Sequence, residues 1–187
     1  MSYIEELGIA AKKAEKAICG ISQQKKNAVL EAIAQKLIDN TERIISENAK
    51  DLENAVKNEM SVAMQDRLRL TAQRIEAMAQ GVREIVALKD PIGEVIGGGE
   101  LPNGLRVTKK RVPLGVFGII FESRPNVTVD AATLCLKAGN VCILRGGSDA
   151  IYSNKCLVSI MREALRENGV CEDAISLVAD TSRQLVA

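Results

Sequence analysis

The chain contains no histidine and no tryptophan. The first absence removes Ser-His-Asp and Cys-His catalysis, and every His-containing metal site, from what these residues do by themselves. Aromatics reach only 2%, with two tyrosines and two phenylalanines. The core therefore has to be built from Ile, Leu, Val and Ala, which suits helices packed on a parallel sheet whose strands are buried on both faces. Neither charge sign is in excess: 25 basic and 24 acidic residues leave a net charge of +1, so no global field draws the protein to nucleic acid or a membrane surface. The densest basic run, Lys109-Lys110-Arg111, has no interleaved aromatics for base stacking and reads as a solvated strand end. No apolar segment approaches the ~20 residues of a membrane span. The first residues lack the basic start and apolar stretch of a signal peptide. The expectation is a cytoplasmic protein with neither nucleic acid nor membrane as partner. The five cysteines, Cys19, Cys135, Cys142, Cys156 and Cys171, include no C-x-x-C pair. Their odd number closes no full disulfide set, and in a reducing compartment they stay as thiols.

What is present is ordinary for a folded protein: 187 residues, 47% hydrophobic and 26% charged, enough for one domain or one domain with a small appendage. Residues 1–91 read as helical. Ser2 with Glu5 forms a capping box, and Ile4, Leu7, Ala11, Ala14 and Ile18 follow at helical spacing until Gly20. Ser22 opens a second helix carrying Ala28, Ile33 and Leu37, and Asp39-Asn40 ends it. Thr41 opens a third with Ile45, Ala49, Leu52 and Val56 on one stripe. After a break at 58–61, two more periodic stretches run to Leu88, where Lys89-Asp90-Pro91 stops the helix. Residues 92–112 read as a hairpin arm: a strand over Ile92–Ile96, three glycines, a Pro102-Asn103-Gly104 turn, and a strand over Leu105–Val112. From residue 113 the pattern becomes strand (Gly115–Phe121), helix (Thr128–Lys137), strand (Val141–Leu144), long helix (Ser148–Glu167) and strand (Ile175–Val178). That alternation predicts a parallel α/β sheet. Asp180-Thr181 reads as the cap of another helix that Ser182 to Leu185 begin. One turn is unstable alone, so a truncated reading frame is the expectation.

Ligands of open parallel sheets collect beyond the carboxyl ends of the strands. Two loops are expected there. Glu122-Ser123-Arg124-Pro125-Asn126 gathers an acid, a hydroxyl, a guanidinium and an amide. Arg124 suits a bidentate contact to carboxylate or phosphate, and Asn126 suits donation to a developing oxyanion. A second reading stands beside it, in which Asn126 or Thr128 caps the helix and Arg124 pairs with Glu122. In Arg145-Gly146-Gly147-Ser148, paired glycines admit a ligand close to the backbone, and the following helix start offers N–H groups to an anion. This is not G-x-G-x-x-G, and a plain strand-to-helix turn explains the glycines equally. Arg145 adds charge of the kind that accepts a 2′-phosphate. Cys135, Cys142 and Cys156 sit among apolar neighbours and read as structural, while nothing near Cys171 lowers its pKa. None reads as a nucleophile.

The run from Val112 through Gly115, Phe117 and the Glu122-Ser123-Arg124-Pro125-Asn126 loop to Thr128, with Cys135 to Asn140 and Leu144-Arg145-Gly146-Gly147-Ser148, closely resembles the γ-glutamyl phosphate reductases, also called glutamate-5-semialdehyde dehydrogenases. These belong to the aldehyde dehydrogenase superfamily, and the likeness extends over essentially all of the chain. It implies an α/β fold in which residues 1–91 and 113–187 form an incomplete Rossmann-like cofactor domain. The arm at 92–112 then corresponds to the part that joins subunits into a homo-oligomer. It implies NADPH-dependent reduction of L-glutamyl 5-phosphate to glutamate 5-semialdehyde in proline biosynthesis, through a cysteine thioester, with glutamate 5-kinase as pathway partner. Asn126 falls near the family's oxyanion-stabilising asparagine. Ser123 and Arg124 fall near the acyl phosphate. Arg145, with Gly146, Gly147 and Ser148, falls on the cofactor side. The family's nucleophilic cysteine and its catalytic domain lie beyond this chain, so the 187 residues alone are expected to be inactive. The competing reading is a non-catalytic nucleotide-binding or interaction module.

Overall fold

A computed structural model describes residues 2–122 and 124–180. Five helices come first: α1 (Tyr3–Ile18), α2 (Gln23–Asp39), α3 (Thr41–Lys57), α4 (Val62–Leu68) and α5 (Ala72–Ala87). Four of them start on a hydroxyl cap that accepts a backbone N–H, from Ser2, Ser22, Ser61 and Thr71, which satisfies amides with no partner inside the helix. Ser2 and Glu5 form the reciprocal capping box that the sequence predicts. Next come the strands β1 (Val95–Glu100) and β2 (Arg106–Lys110), then β3 (Val116–Ile120), α6 (Pro125–Lys137), β4 (Val141–Arg145), α7 (Ile151–Glu167) and β5 (Ile175–Leu177). No helix among the described residues is long and apolar enough to cross a membrane.

Strands β3, β4 and β5 form a parallel sheet in that order. Helix α1 lies against β4, while α6 and α7 pack on β4 and β5 and carry α2, α3 and α5 behind them. One aliphatic core runs through these layers, including Leu30, Ile33, Leu37, Ile75, Leu144 and Leu157, all fully buried. β4 is the buried strand. β3 is only half covered, with Ile120 66% exposed, so burial on both faces, expected of every strand, holds for the centre and not for this edge. Asn140 fixes the start of β3: its Oδ1 accepts the amides of Leu114 and Gly115 at 2.8 and 2.9 Å.

The arm at 92–112 is an antiparallel hairpin whose eleven strand residues are all exposed. Its boundaries differ from expectation, because the glycines lie inside β1 instead of following it. Gly98 has φ +149, and a Cβ there would stand 2.3 Å from the Val107 carbonyl oxygen, so the strands can pair at that point only through glycine.

Two buried faces also differ. In α2, Ala28 is exposed and Val29 and Leu30 are buried in its place. In α3 the apolar stripe Ile45, Ala49 and Val56 faces solvent, and the buried face is Ile44, Asn48, Asp51 and Ala55. This is a rotation of one residue, about 100° around the helix. The reason is polar. Asn48 donates to the Leu68 carbonyl at 2.9 Å and to Ser153 Oγ at 3.0 Å, and accepts the Leu70 amide at 2.8 Å. Buried side chains with all partners in place hold the helix in an orientation that apolar counting misses. A second buried polar site ties the arm to the core: the Lys26 ammonium is ion-paired with Asp90, and Asp90 accepts the Ile92 amide at 2.9 Å.

Candidate active site

Both loops expected to carry chemistry stand at the carboxyl end of the parallel sheet. β3 and β4 stay paired to the last residue, and the Phe121 amide donates to the Arg145 carbonyl at 3.0 Å. α6 begins at Pro125, earlier than the expected Thr128, because proline has no N–H to lose at the first helical position. The purely structural reading of this loop fails on its own terms. No side-chain cap of α6 occurs among the described residues. Thr128 is fully buried and donates its hydroxyl to Asn154 Oδ1 at 2.7 Å. Arg124 meets Glu122 only through its backbone amide, at 2.8 Å. Its guanidinium has no ion pair or hydrogen bond among the described residues, and it lines a cleft instead. Ser123 lies outside the described residues, as do Thr181 and the helix expected after it.

Asn126 is half-buried on the first turn of α6, and its Nδ2 donates to Asp130 Oδ2 at 3.3 Å. A side-chain amide carries two N–H groups, so one remains for a ligand oxygen. Burial pushes the Asp130 carboxyl up from its ordinary value, and the Asn126 hydrogen bond opposes that only in part.

The cleft beside these residues, about 430 Å³, is closed on its far side by the link between α4 and α5. Arg67, Arg69, Arg74, Arg124, Asn126 and Asp130 line it. Arg74 is committed to structure: it pairs with Asp66 at 3.0 Å and donates to the Asp66 and Arg69 carbonyls. Arg67 and Arg69 have no side-chain partner among the described residues. Sequence reasoning missed both. The available signal is the alternation Arg67-Leu68-Arg69-Leu70, in which the leucines are buried and the arginines exposed where α4 ends at Leu68 and the chain turns extended at Arg69.

On the other side of the sheet end, Arg145 closes β4 and Gly146 and Gly147 lead into a 3-10 turn at Ser148–Ala150. The start of α7 is not open to an anion as expected. Asp51 on α3 takes its amides, accepting Tyr152 N–H at 3.1 Å, Ser153 N–H at 2.8 Å and the Ser153 hydroxyl at 2.6 Å. A carboxylate already complements the positive end of that helix. Burial holds the Asp51 carboxyl above its usual range, with the Ser153 and Tyr152 hydrogen bonds acting against it. Gly146 is required by packing: a Cβ there would stand 2.2 Å from Asn154 Nδ2 and 3.1 Å from the Phe121 ring. Asn154 thus braces both loops, through Thr128 on one side and beneath Gly146 on the other. Its buried Nδ2 has no hydrogen-bond partner among the described residues.

The thiols divide by exposure. Cys135, Cys142 and Cys156 are buried, Cys171 half-buried and Cys19 exposed. The hydrogen bond to Cys135, and then burial, push the Cys142 thiol far up, and burial also raises Cys156. A thiol so held is a poor nucleophile.

Residues 3–187 match the model of the aldehyde dehydrogenase family. The chain belongs to that family. A γ-glutamyl phosphate reductase of Lachnospira eligens is 51% identical over 186 residues, which is 100% of this chain and 45% of that protein. Among solved structures, a γ-glutamyl phosphate reductase from Thermotoga maritima superposes with a TM-score of 0.97 at 39% identity, covering 99% of this chain and 45% of that one. One of the same name from Saccharomyces cerevisiae gives 0.91 at 28% identity, covering 99% of this chain and 48% of that one. The fold is therefore aldehyde dehydrogenase-like, a mixed α/β arrangement around a parallel sheet. The chain spans about half the length of the relatives it matches.

Proposed function

We propose that the protein carrying this chain reduces L-glutamyl 5-phosphate to L-glutamate 5-semialdehyde with NADPH, the second step from glutamate to proline. The observation that carries this reading is the 51% identity to a γ-glutamyl phosphate reductase across the whole chain, both loops included. The local chemistry supports it. An acyl phosphate with an amino-acid tail is strongly anionic, and the cleft beside Asn126 is lined by guanidinium groups.

The reaction needs a thiolate to add to the acyl carbon, so that the carbon–oxygen bond to phosphate breaks and phosphate leaves. Hydride addition to the resulting thioester then expels the thiolate and leaves the aldehyde. Asn126 donates its second amide N–H to the oxyanion of each addition. Arg124, with Ser123, meets the departing phosphate, where a planar fork of donors matches its oxygens. We assign the attacking sulfur to none of the five cysteines, since three are buried and neither Cys19 nor Cys171 lines the cleft; it comes from outside residues 1–187. NADPH, when bound, supplies the hydride. A basic side chain and two backbone-exposing glycines at the end of β4 fit its phosphates and ribose. Because Asp51 occupies the α7 start, that contact falls to Arg145, Gly146, Gly147 and Ser148 themselves, with Arg145 on the 2′-phosphate. The exposed hairpin β1–β2 serves to join subunits, and five unpaired thiols suit a cytoplasmic, reducing setting. A glutamate 5-kinase supplies the substrate.

Complementation tests this directly. The full-length gene should restore growth without proline to a strain lacking glutamyl phosphate reduction, and failure of an expressed, soluble protein to do so refutes the reading. Arg145→Ala should weaken NADPH more than NADH in a fluorescence titration. Equal losses remove Arg145 from the 2′-phosphate.

A further inference from the structure

We infer that the cleft between the α4–α5 link and the start of α6 holds the amino-acid head of the substrate, with Arg67 and Arg69 on its α-carboxylate and Asp130 on its α-ammonium. This assignment rests on the reading of the protein as a glutamyl phosphate reductase and adds the group that selects the substrate's other end.

Charge bookkeeping inside the cleft points to such a ligand. Four arginines face it, and only Arg74 is paired, with Asp66 at 3.0 Å. Arg67, Arg69 and Arg124 keep their donors unused among the described residues. Arg124 and Arg67 both line the adjoining cleft beside Glu122 as well, and Arg124 is given to the phosphate end because it stands on the β3–α6 loop at the carboxyl end of the sheet. Arg67 and Arg69 stand on the opposite wall, Arg67 in the last turn of α4 and Arg69 at its C-cap, with the buried Leu68 and Leu70 anchoring both. Leu70 is further pinned by its amide, which donates to Asn48 Oδ1 at 2.8 Å. Two guanidinium groups on a fixed backbone are a preorganised carboxylate receptor.

The cleft also holds the opposite charge. Asp130 is half-buried, its bonded partner is the neutral amide of Asn126, and no cation pairs with it among the described residues. Its carboxyl is held above its ordinary value, as burial without a compensating charge requires. An incoming ammonium supplies the missing charge. Two free guanidiniums and an uncompensated carboxylate in one cleft of about 430 Å³ match a zwitterionic α-amino acid head better than a simple dianion, which Asp130 would repel. That volume lies in the range of small-ligand sites, roughly 300–1,000 Å³.

The test runs the reaction in reverse on the full-length protein, with NADP+, inorganic phosphate and either L-glutamate 5-semialdehyde or 5-oxopentanoate, which keeps the carboxylate and lacks the amino group. Arg67→Ala and Arg69→Ala should each raise KM for both aldehydes by about tenfold to a hundredfold, the effect of a lost charge-assisted hydrogen bond, with NADP+ affinity unchanged. Asp130→Asn should remove most of the wild-type preference for the aminated aldehyde, read as the ratio of kcat/KM for the two aldehydes, in which any loss shared through Asn126 cancels. Unchanged KM in both arginine variants, or a preference that survives Asp130→Asn, overturns the subsite. Wild-type turnover judges the reductase reading separately: if it is present, such results sink only the subsite, and if it is absent, the reading beneath it fails as well.

Discussion

The carboxylate of Asp51 caps a helix to which it does not belong, and removing it gives the sharpest stability prediction. In Asp51→Ala the Tyr152 and Ser153 amides at the start of α7 lose their acceptor, and Ser153, fully buried, has no water to replace it. Loss of a helix cap costs about 0.5–2 kcal/mol, and a hydrogen bond to a charged group about 1.5–3 kcal/mol. The two overlap, so about 3 kcal/mol is expected in total. For a domain of this size that lowers Tm by roughly 6–12 °C. Asp51→Asn keeps the shape and one acceptor but turns an amide N–H toward Tyr152 N–H or Ser153 N–H, so its Tm should fall between those of the wild type and the alanine variant. Thermal melts followed by circular dichroism and calorimetry read both values. An alanine variant within about 0.5 kcal/mol of wild type, the range of ordinary surface substitutions, would refute the claim that Asp51 holds α7 in place. Because Gly146 and Gly147 lead straight into that helix start, the same variant should also weaken NADPH binding at temperatures where it remains folded.

Other variants probe separate parts of the structure. Asp90→Ala strands the Lys26 ammonium, whose side chain is 3% exposed, and should cost about 3–5 kcal/mol in a denaturant titration. Burial raises the Asp90 carboxyl, but the Lys26 contact and the Ile92 amide outweigh it and leave its pKa below the ordinary 3.8. A carboxyl held down in the fold gives stability that is complete above the unfolded value and is lost as pH falls through the folded one. The wild-type advantage over Asp90→Asn should therefore shrink below about pH 4; an advantage independent of pH contradicts the pairing. Gly146→Ala must displace Asn154 or the Phe121 ring and should cost about 1–3 kcal/mol by overpacking; a neutral result in a thermal melt means that loop relaxes freely. Native protein should react quickly with a thiol reagent at Cys19 and Cys171 alone, and rapid labelling of Cys142 contradicts its burial.

Much of this fold is legible in local chemistry. Ser2 and Ser22 announce helix starts, and the short aliphatic runs before Glu122 and Gly146 announce parallel strands. What is not legible depends on partners far along the chain. The face of α3 is set by Asn48 and Asp51, whose bonds reach Leu68, Leu70, Tyr152 and Ser153, between 20 and 105 residues away. An apolar count along α3 cannot register such bonds and selects the neighbouring stripe. Likewise Arg145-Gly146-Gly147-Ser148 reads as an anion cradle until Asp51 is seen in the place of the anion. Asn126 and Arg124 are visible in sequence because polarity between a strand and a helix has no local need. Arg67 and Arg69 escape notice because solvated arginines at a helix end are common, and only the fold brings them opposite Asn126.

The defining chemical event is the passage of the acyl group to phosphate. In the reverse direction, full-length protein given NADP+ and L-glutamate 5-semialdehyde should form NADPH only when inorganic phosphate is present, with L-glutamyl 5-phosphate as the product. NADPH formation at an equal rate without phosphate, yielding free glutamate, would mean that water takes the acyl group, and would contradict the assignment of this chain to an acyl-phosphate reductase.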